Sequence, residues 1–329
     1  MTDFTVSAVE GIGEIGEGAD LAAVVANAAE LHDGLHDGLQ NGLQNGLQDG
    51  DIVVVTSKVI SKAEGRILPG TDRDAAITAE TVRVVARRGP VRIVENRLGL
   101  VMAAAGVDAS NLAVGTIALL PEDPDASARA LRRDLAERAG VNVAVVVSDT
   151  SGRAWRLGQT DIAIGLAGLA PLESFAGTVD DYGNDLAVTE PAVADEIAGA
   201  AELGSGKLGG RPLMIVRGLG DRVLPPGEDG PGARAMVRPI ASDMFGLGAR
   251  EAVVAALAGD GSSFGTPAPL EDLVGALTRL GIDDVAVDGE SLRVASADPL
   301  RSMRIELLAL AHGWVTEDGA EGVVLRPRA

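Results

Sequence analysis

Hydrophobic runs that stop abruptly at polar residues are the dominant pattern along the chain. The clearest of them, Val141 to Val147, is broken only by Asn142 and is typical of a strand buried on both faces. It stops at the polar segment SDTSGRAWRLGQTD, residues 148–161, which we predict to begin a loop that carries chemistry. Other runs predict further strands at Ile52–Val55, Val91–Val94, Val114–Leu120 and Leu213–Val216.

Segments with helical character lie between these strands. They are 21–30, 125–139 and 189–203, and Thr189 is the predicted N-cap of the last, with Pro191 in its first turn. Strands and helices intermix without the strict alternation that would fix a doubly wound sheet. The pattern therefore predicts an α+β fold built on a mixed sheet.

A composition break, GDGSSFGTPAP at residues 259–269, predicts a linker between two domains. The larger domain is predicted to span residues 1–258, and a small C-terminal α/β module residues 270–329. In the module we predict helices at 270–280 and 299–312 and short strands near Val285, Leu292, Trp314 and Val323. Met303 and Trp314 are expected in its core.

Residues 31–50 form a tetrapeptide repeat, LHDG, LHDG, LQNG, LQNG and LQDG. Asp-Gly and Asn-Gly favour turns, and a glycine at every fourth position penalises a helix, so we predict a loop. His32 and His36 lie four residues apart, which on a helix would suit a metal ion, but the predicted loop argues against that site.

Composition narrows the classes of function. The 329 residues contain no cysteine, which excludes disulfides, thiolate metal sites and a cysteine nucleophile. A net charge of −20 argues against nucleic acid or anionic membranes as partners. The amino terminus lacks the pattern of a signal peptide and no apolar run approaches the length of a membrane span, so we expect a soluble, cytoplasmic protein.

Candidate chemistry gathers after two of the predicted strands. Asp149 and Thr150 offer a carboxylate and a hydroxyl, the oxygen ligands that Mg²⁺ or Mn²⁺ prefers. Arg153 and Arg156 could bind phosphate or carboxylate groups and are the predicted catalytic residues. Asp108, in AAAGVDASN, would complete an oxygen-rich metal site if it lies near Asp149 and Thr150, although on its own a turn stabilised by its carboxylate is the better explanation.

Lysine usage indicates the same kind of site. Lys58, Lys62 and Lys207 are the only lysines among 28 basic residues, so each is expected where a compact ammonium group is required. Two of them follow the predicted strand at Ile52, and Lys207 lies in a glycine-rich turn that could bind phosphate.

A glycine-rich segment near the amino terminus leaves an alternative open. Gly11, Gly13 and Gly16 formally match the dinucleotide-binding fingerprint, so a nicotinamide-dependent oxidoreductase is one alternative. The acidic residues Glu14 and Glu17 and the predicted late helix start argue against it. No P-loop sequence is present.

Five motifs in this order closely resemble the coenzyme F-420-0:γ-glutamyl ligase family, including the ligase half of the actinobacterial fused enzyme: TSKVISKAEGR, ENRLGLVMAAAGVDASN, SDTSGRAWRLGQTDIAIG, DDYGNDLAVTEPAVADEIAGAAEL and IVRGLG. The resemblance runs from about Val6 to Gly248. It implies a γ-glutamyl-ligase-like fold and GTP-dependent ligation of L-glutamate to coenzyme F-420-0 through an acyl phosphate. It also implies a homodimer and a site with two divalent ions, Mg²⁺ or Mn²⁺, with K⁺ as a further candidate.

The resemblance also implies roles for individual residues. Metal ligands would be Asp108, Asp149 and Thr150. Contacts with GTP would come from Ile12, Gly13, Glu14, Ile15, Ser57, Lys62, Asn111, Gly206 and Lys207. Some relatives have a glutamine, thought to bind metal, where this chain has Lys207.

Two features depart from the family pattern. The repeat is an insertion, and residues 268–329 are too short for the nitroreductase-like domain of the fused enzymes and do not resemble it. Reductase activity is therefore not expected. Two further alternatives remain: an enzyme with the same fold and nucleotide that acts on another acid acceptor, and a non-catalytic nucleotide-binding regulator.

Overall fold

A computed structural model describes residues 3–33, 46–207, 209–319 and 322–328. The chain forms two compact units, one of Met1–Arg83 and Val94–Val237 and the other of Val84–Ile93 and Arg238–Ala329. The predicted domain limits at residues 258 and 269 stay predictions. Most of the tetrapeptide repeat, with His36, lies outside the described residues. None of the described helices is long and apolar enough to cross a membrane.

The first unit contains a mixed five-stranded sheet. Along the chain up to residue 237 the helices and strands are β1 (Thr5–Ala8), α1 (Leu21–Asp33), β2 (Ile52–Thr56), α2 (Ser57–Ala63), β3 (Ile67–Pro69), α3 (Arg73–Ala79), β4 (Thr81–Arg88), β5 (Val91–Asn96), β6 (Val101–Ala103), β7 (Thr116–Ala118), α4 (Pro124–Ala139), β8 (Ala144–Gly152), β9 (Gln159–Ala167), α5 (Val193–Ser205) and β10 (Leu213–Arg217). The main sheet has the order β1-β10-β2-β8-β9, and β4, β5 and β6 form a smaller sheet. The boundary between the units passes through β4 and β5.

Both faces of the main sheet are covered, as the hydrophobic run at Val141–Val147 predicted. Along β8, Val145 and Val147 pack against α1 and α4, whereas Ala144 and Val146 pack against α5. All four are fully buried. Because β2 and β8 pair in parallel, from Ile52 with Ala144 to Thr56 with Ser148, their carboxyl ends lie at the same edge of the sheet.

The polar segment after Val147 does not begin a loop, so that prediction was wrong. β8 continues to Gly152 and pairs with β9 in a hairpin whose register shifts between Val147 and Ser148. The extra pairing satisfies the backbone of the polar residues, and the irregularity falls where the hydrophobic run ends. The tip of the hairpin is residues 153–158.

The predicted start of α5 was also wrong. The helix begins at Val193, and its N-cap position is Ala192, which makes no side-chain capping bond. Thr189 and Pro191 instead accept backbone hydrogen bonds from Phe175 and Glu173, respectively. These residues lie outside the helix because their backbone is paired with the segment before them. The predicted helix at 125–139 is confirmed as α4, which begins one residue earlier at Pro124.

The second unit carries one helix that was not predicted, α6 (Ala249–Leu257), and the predicted C-terminal elements. The latter are α7 (Leu270–Arg279), β11 (Val285–Asp288), β12 (Ser291–Ala295), α8 (Pro299–Ala311), β13 (Trp314–Gly319) and β14 (Gly322–Pro327). Trp314 is buried in their core, as predicted. Met303 is not, since its side chain is 44% exposed. Ile305 and Ala309 provide the buried side of α8 instead.

Candidate active site

The polar residues meet at the edge of the sheet where β2 ends and its pairing with β8 stops. Helix α2 follows β2 directly, and its first residue, Ser57, donates a 2.6 Å hydrogen bond from Oγ to Asp149 Oδ1. Asp149 lies on β8, one pair beyond the last pairing of β8 with β2. The parallel pairing therefore joins two sequence segments that are 92 residues apart.

Asp149 lies in an excess of negative charge. Burial raises the pKa of its carboxyl to about 6, and repulsion from Asp161 and Asp108 acts in the same direction. The hydrogen bond from Ser57 and the charge of Lys58 oppose this shift without cancelling it. A carboxylate of this kind favours a cation as its neighbour.

Asp108 is held by Lys58 and by its own turn. Lys58 Nζ lies 2.5 Å from Asp108 Oδ2, and Asp108 Oδ1 accepts backbone hydrogen bonds from Ala109 and Ser110. Burial would raise the pKa of Asp108, but the hydrogen bonds from Lys58 and Ser110 outweigh it and lower the pKa to about 2. The turn interpretation is thus confirmed, and a metal ion at Asp108 would compete with Lys58.

Thr150 belongs to a second group of polar side chains, on the β8–β9 hairpin. Its Oγ1 donates to Asp161 Oδ1 at 2.7 Å and lies 3.0 Å from Lys207 Nζ. Lys207 also forms an ion pair with Glu202, and Glu202 accepts the backbone N–H of Asp161. Burial would lower the pKa of Lys207, but its contacts with Glu202 and Asp161 raise it overall.

A cleft of about 240 Å³ lies beside α2. Among its lining residues are Glu14, Ile15 and Lys62, three of the predicted nucleotide contacts. Lys62 Nζ lies 2.5 Å from Glu14 Oε1. Asn111 has a left-handed backbone, with φ of 54°, directly before the lining residue Leu112.

The glycine-rich segment does not form a dinucleotide site of the expected kind. Helix α1 begins at Leu21, five residues after Gly16, so its N-terminus does not open within the glycines as the fingerprint requires. Gly13 is exposed and Ile12 packs against the core beside the cleft residue Ile15. The geometry therefore gives the oxidoreductase alternative no support.

The two predicted catalytic arginines lie on the hairpin tip. Both are exposed, and Arg153 donates to the carbonyl of Leu157 at 2.7 Å. Within the described ranges, neither Arg153 nor Arg156 bonds to Asp108, Asp149 or Thr150. The structure of one chain thus leaves these arginines apart from the predicted metal ligands.

The donor set suits a hard divalent cation that shares its ligands with a substrate. In the parts of the chain that the structure describes, no three acidic or histidine side chains are arranged to hold a metal ion by themselves. Mg²⁺ commonly binds one or two carboxylates together with substrate phosphates, which fits the uncompensated charge at Asp149.

Sequence reasoning missed Asp161 and Glu202 as members of the site. Asp161 lies opposite Thr150 across the hairpin, and Glu202 lies near the end of α5. The lysines were the better signal, because all three form ion pairs here: Lys58 with Asp108, Lys62 with Glu14, and Lys207 with Glu202.

Comparison with known proteins decides the family. The family described as F420-0:Gamma-glutamyl ligase matches residues 11–83 and 71–218. The coenzyme F420:L-glutamate ligase of Archaeoglobus fulgidus is 38% identical over 230 residues, 64% of this chain and 86% of the relative. The chain belongs to the F420-0:γ-glutamyl ligase family.

Two further members of the ligase family match over similar lengths. The coenzyme F420:L-glutamate ligase of Methanopyrus kandleri is 38% identical over 248 residues, 69% of this chain and 92% of the relative. That of Methanothermobacter thermautotrophicus is 36% identical over 257 residues, 72% of this chain and 96% of the relative. Every predicted site residue lies within the family match, which ends at residue 218.

Proposed function

We propose that this chain is a GTP-dependent ligase that joins L-glutamate to coenzyme F420-0 and then adds further γ-linked glutamates. The coenzyme and the amino acid come from the names of its relatives, which are F420:L-glutamate ligases. The observation that carries the proposal is the sheet edge where Ser57, Lys58 and Asp149 meet, because its charges suit phosphoryl transfer. The γ-glutamyl-ligase-like fold and a cytoplasmic location are parts of the same proposal.

The reaction needs an activated carboxylate. The terminal carboxylate of F420-0 attacks the γ-phosphorus of GTP, which forms an acyl phosphate and releases GDP. The amine of L-glutamate then attacks the acyl carbon, loses a proton and expels inorganic phosphate, leaving an amide bond. No protein nucleophile is required, which agrees with a site built without cysteine.

The chain's own residues hold and neutralise the anions. Lys58 and Lys62 are four residues apart on α2, so both ammonium groups lie on one side of the helix. Asp149 would hold a divalent ion, Mg²⁺ or Mn²⁺, and Asp108 and Thr150 are the other candidate ligands of the two-ion site that the family resemblance implies. When bound, such an ion spreads the charge that develops on the transferred phosphoryl group.

The cleft beside α2 is the proposed nucleotide site. Guanine presents N–H donors that a carboxylate accepts, whereas adenine presents an acceptor at the equivalent ring nitrogen. Glu14 and Glu17 both line the cleft and supply such carboxylates. Lys62 would bind phosphate there once released from Glu14, and Ile12, Gly13, Ile15, Ser57, Asn111, Gly206 and Lys207 are the further proposed contacts.

The proposed homodimer gives the hairpin tip a role. Trp155 and Leu157 are 79% and 97% exposed, which is unusual for large apolar side chains. A partner subunit that covers them would also receive Arg153 and Arg156, so the arginines would bind anions in the partner's site.

A mass-spectrometric ligation assay tests the proposal. Purified protein is incubated with F420-0, L-glutamate, Mg²⁺ or Mn²⁺, K⁺, and either GTP or ATP. We expect a gain of one or more glutamate residues with GTP and little or none with ATP. A folded protein that binds GTP without any mass gain would instead indicate a different acceptor or a nucleotide-binding regulator.

A further inference from the structure

Lys207 places an ammonium group among oxygens that would otherwise suit a metal ion. Its Nζ lies 3.0 Å from Thr150 Oγ1 and 3.5 Å from Asp161 Oδ1, and it forms an ion pair with Glu202. A hydroxyl and two carboxylates are the ligand types that Mg²⁺ and Mn²⁺ prefer. The lysine therefore fills a cation site made from this chain's own oxygens.

The backbone brings Lys207 back towards the hairpin. Helix α5 ends at Ser205, and Gly206 follows with φ of 66° and ψ of 154°, a backbone conformation that residues other than glycine rarely adopt. This turn carries Lys207 from the end of the helix to Thr150 on β8. An ammonium group has three N–H donors, and the three neighbouring oxygens match them.

Because both are positively charged, Lys207 and a metal ion cannot bind these oxygens at the same time. The side chains of Asp161 and Glu202 are only 10% and 17% exposed, and among the described residues Lys207 is the cation that pairs with both. A divalent ion on the same oxygens would lie within contact distance of the ammonium group, so it could bind them only by displacing Lys207, whose side chain is 59% exposed. The two cations therefore exclude each other.

We propose that Lys207 replaces one of the two expected divalent ions, so that each chain binds a single Mg²⁺ or Mn²⁺ ion, at Asp149. This inference rests on the proposed function, since the two-ion expectation comes from the family resemblance. Lys207 then acts as a positioning residue that supplies a fixed positive charge beside Thr150, whatever the metal concentration.

Counting bound Mn²⁺ tests the inference. The full chain is titrated with Mn²⁺ into the millimolar range, and free Mn²⁺ is measured by electron paramagnetic resonance. The wild type should bind one ion per chain. Lys207→Gln should bind two, because it frees Thr150, Asp161 and Glu202 and adds an amide oxygen. Lys207→Arg keeps the charge and should bind one.

Two further variants test whether the loss of Lys207 itself causes the gain of a second ion. Lys62→Gln removes an ammonium group from the cleft and not from Thr150, so it should still bind one ion. Adding Asp161→Asn to Lys207→Gln should abolish the second ion. The inference is overturned by two ions in the wild type, or by a Lys207→Gln variant that its Tm shows to be folded and that binds no more ions than the wild type.

The titration contains no GTP, F420-0 or glutamate, so it is read independently of ligation. A wild type that ligates but binds two ions would overturn the role of Lys207 and leave the proposed function intact. If the wild type binds one ion and fails to ligate, while Lys207→Gln binds two, the proposed function would be overturned and the role of Lys207 would stand.

Discussion

The two compact units differ in what they bury. In the first unit, the buried side chains include polar and charged ones, such as those of Asp51, Arg132 and Asp161. In the described part of the second unit, the buried side chains are apolar. Asp51 accepts two hydrogen bonds from Arg217, and Arg132 donates to carbonyls at Val143, Leu224, Pro225 and Glu228. Burying such groups is costly unless every partner is in place. The first unit therefore fixes one detailed geometry, which a site needs, and the second is a packed core.

Matched core leucines give the largest expected difference between the units. Leu135 on α4 and Leu277 on α7 are both fully buried. Leu→Ala at either position should lower the free energy of unfolding of its unit by roughly 2–5 kcal/mol, because it removes packed atoms and leaves a cavity. Chemical denaturation followed by circular dichroism would measure both losses.

Ligation should separate the two variants. At temperatures where Leu277→Ala is partly unfolded, ligation should persist, while Leu135→Ala should lose it as its unit unfolds. If Leu135→Ala and Leu277→Ala lost ligation equally, the second unit would be needed for activity, and the proposed division between the two units would be wrong.

Glu14→Gln should have the next largest effect. Replacing its carboxylate by an amide weakens a hydrogen bond to a charged acceptor and offers guanine a donor it cannot use, so the KM for GTP should rise roughly tenfold. The preference for GTP over ATP should fall with it. Asp288→Asn, which removes a carboxylate paired with Arg293 in the second unit, is the matched control and should change neither quantity.

Deleting residues 260–329 should leave ligation measurable. Those residues lie outside the family match and contribute none of the proposed site residues. The ligation assay on the truncated chain checks this, with circular dichroism as the control for folding. A folded truncation without any activity would mean that the second unit takes part in the reaction.

The smallest expected effect is that of Asp195→Asn on the pH dependence of the first unit's stability. Burial raises the pKa of Asp195, although the N–H of Ala163 donates to its carboxylate and opposes the shift. With a raised pKa, the folded state binds the proton more tightly than the unfolded state, so this group's contribution to stability falls as pH rises above about 4.

The asparagine variant keeps an acceptor for Ala163 and removes the titration. Its stability relative to wild type should therefore increase slightly from pH 4 to pH 7, as measured by urea denaturation across that range. A relative stability that is constant or decreases with pH would contradict the assignment.

Much of the fold follows from local patterns in the sequence. The strands at Ile52 and Leu213 and the helix α4 lie within a residue or so of their predicted limits because their hydrophobic runs and caps act locally. The extension of β8 to Gly152 does not follow from local pattern, since pairing with β9 holds polar residues in a strand. The start of α5 was missed for the same reason, because distant backbone pairing set it.

The site was predictable in its residue types and not in its pairings. The three lysines stand out from composition, and Asp149, Lys58 and Lys62 stand out from their place after predicted strands. Asp108 stands out as a carboxylate that follows a segment of small residues. Which lysine meets which oxygen depends on parallel pairing of β2 with β8 and on the turn at Gly206. Asp161 and Glu202 have no distinctive motif of their own and enter the site only through the hairpin and the end of α5.

The central claim is that the sheet edge at Asp149 is where ligation occurs. Its most direct test is the rate of glutamate addition to F420-0 by wild type and Asp149→Asn, measured by mass spectrometry with saturating GTP and Mn²⁺. Asp149→Asn removes the negative charge of the side chain and keeps its shape. We therefore predict that the rate of glutamate addition falls about 10²–10³-fold in a variant that is still folded. A variant that adds glutamate at the wild-type rate would contradict the claim.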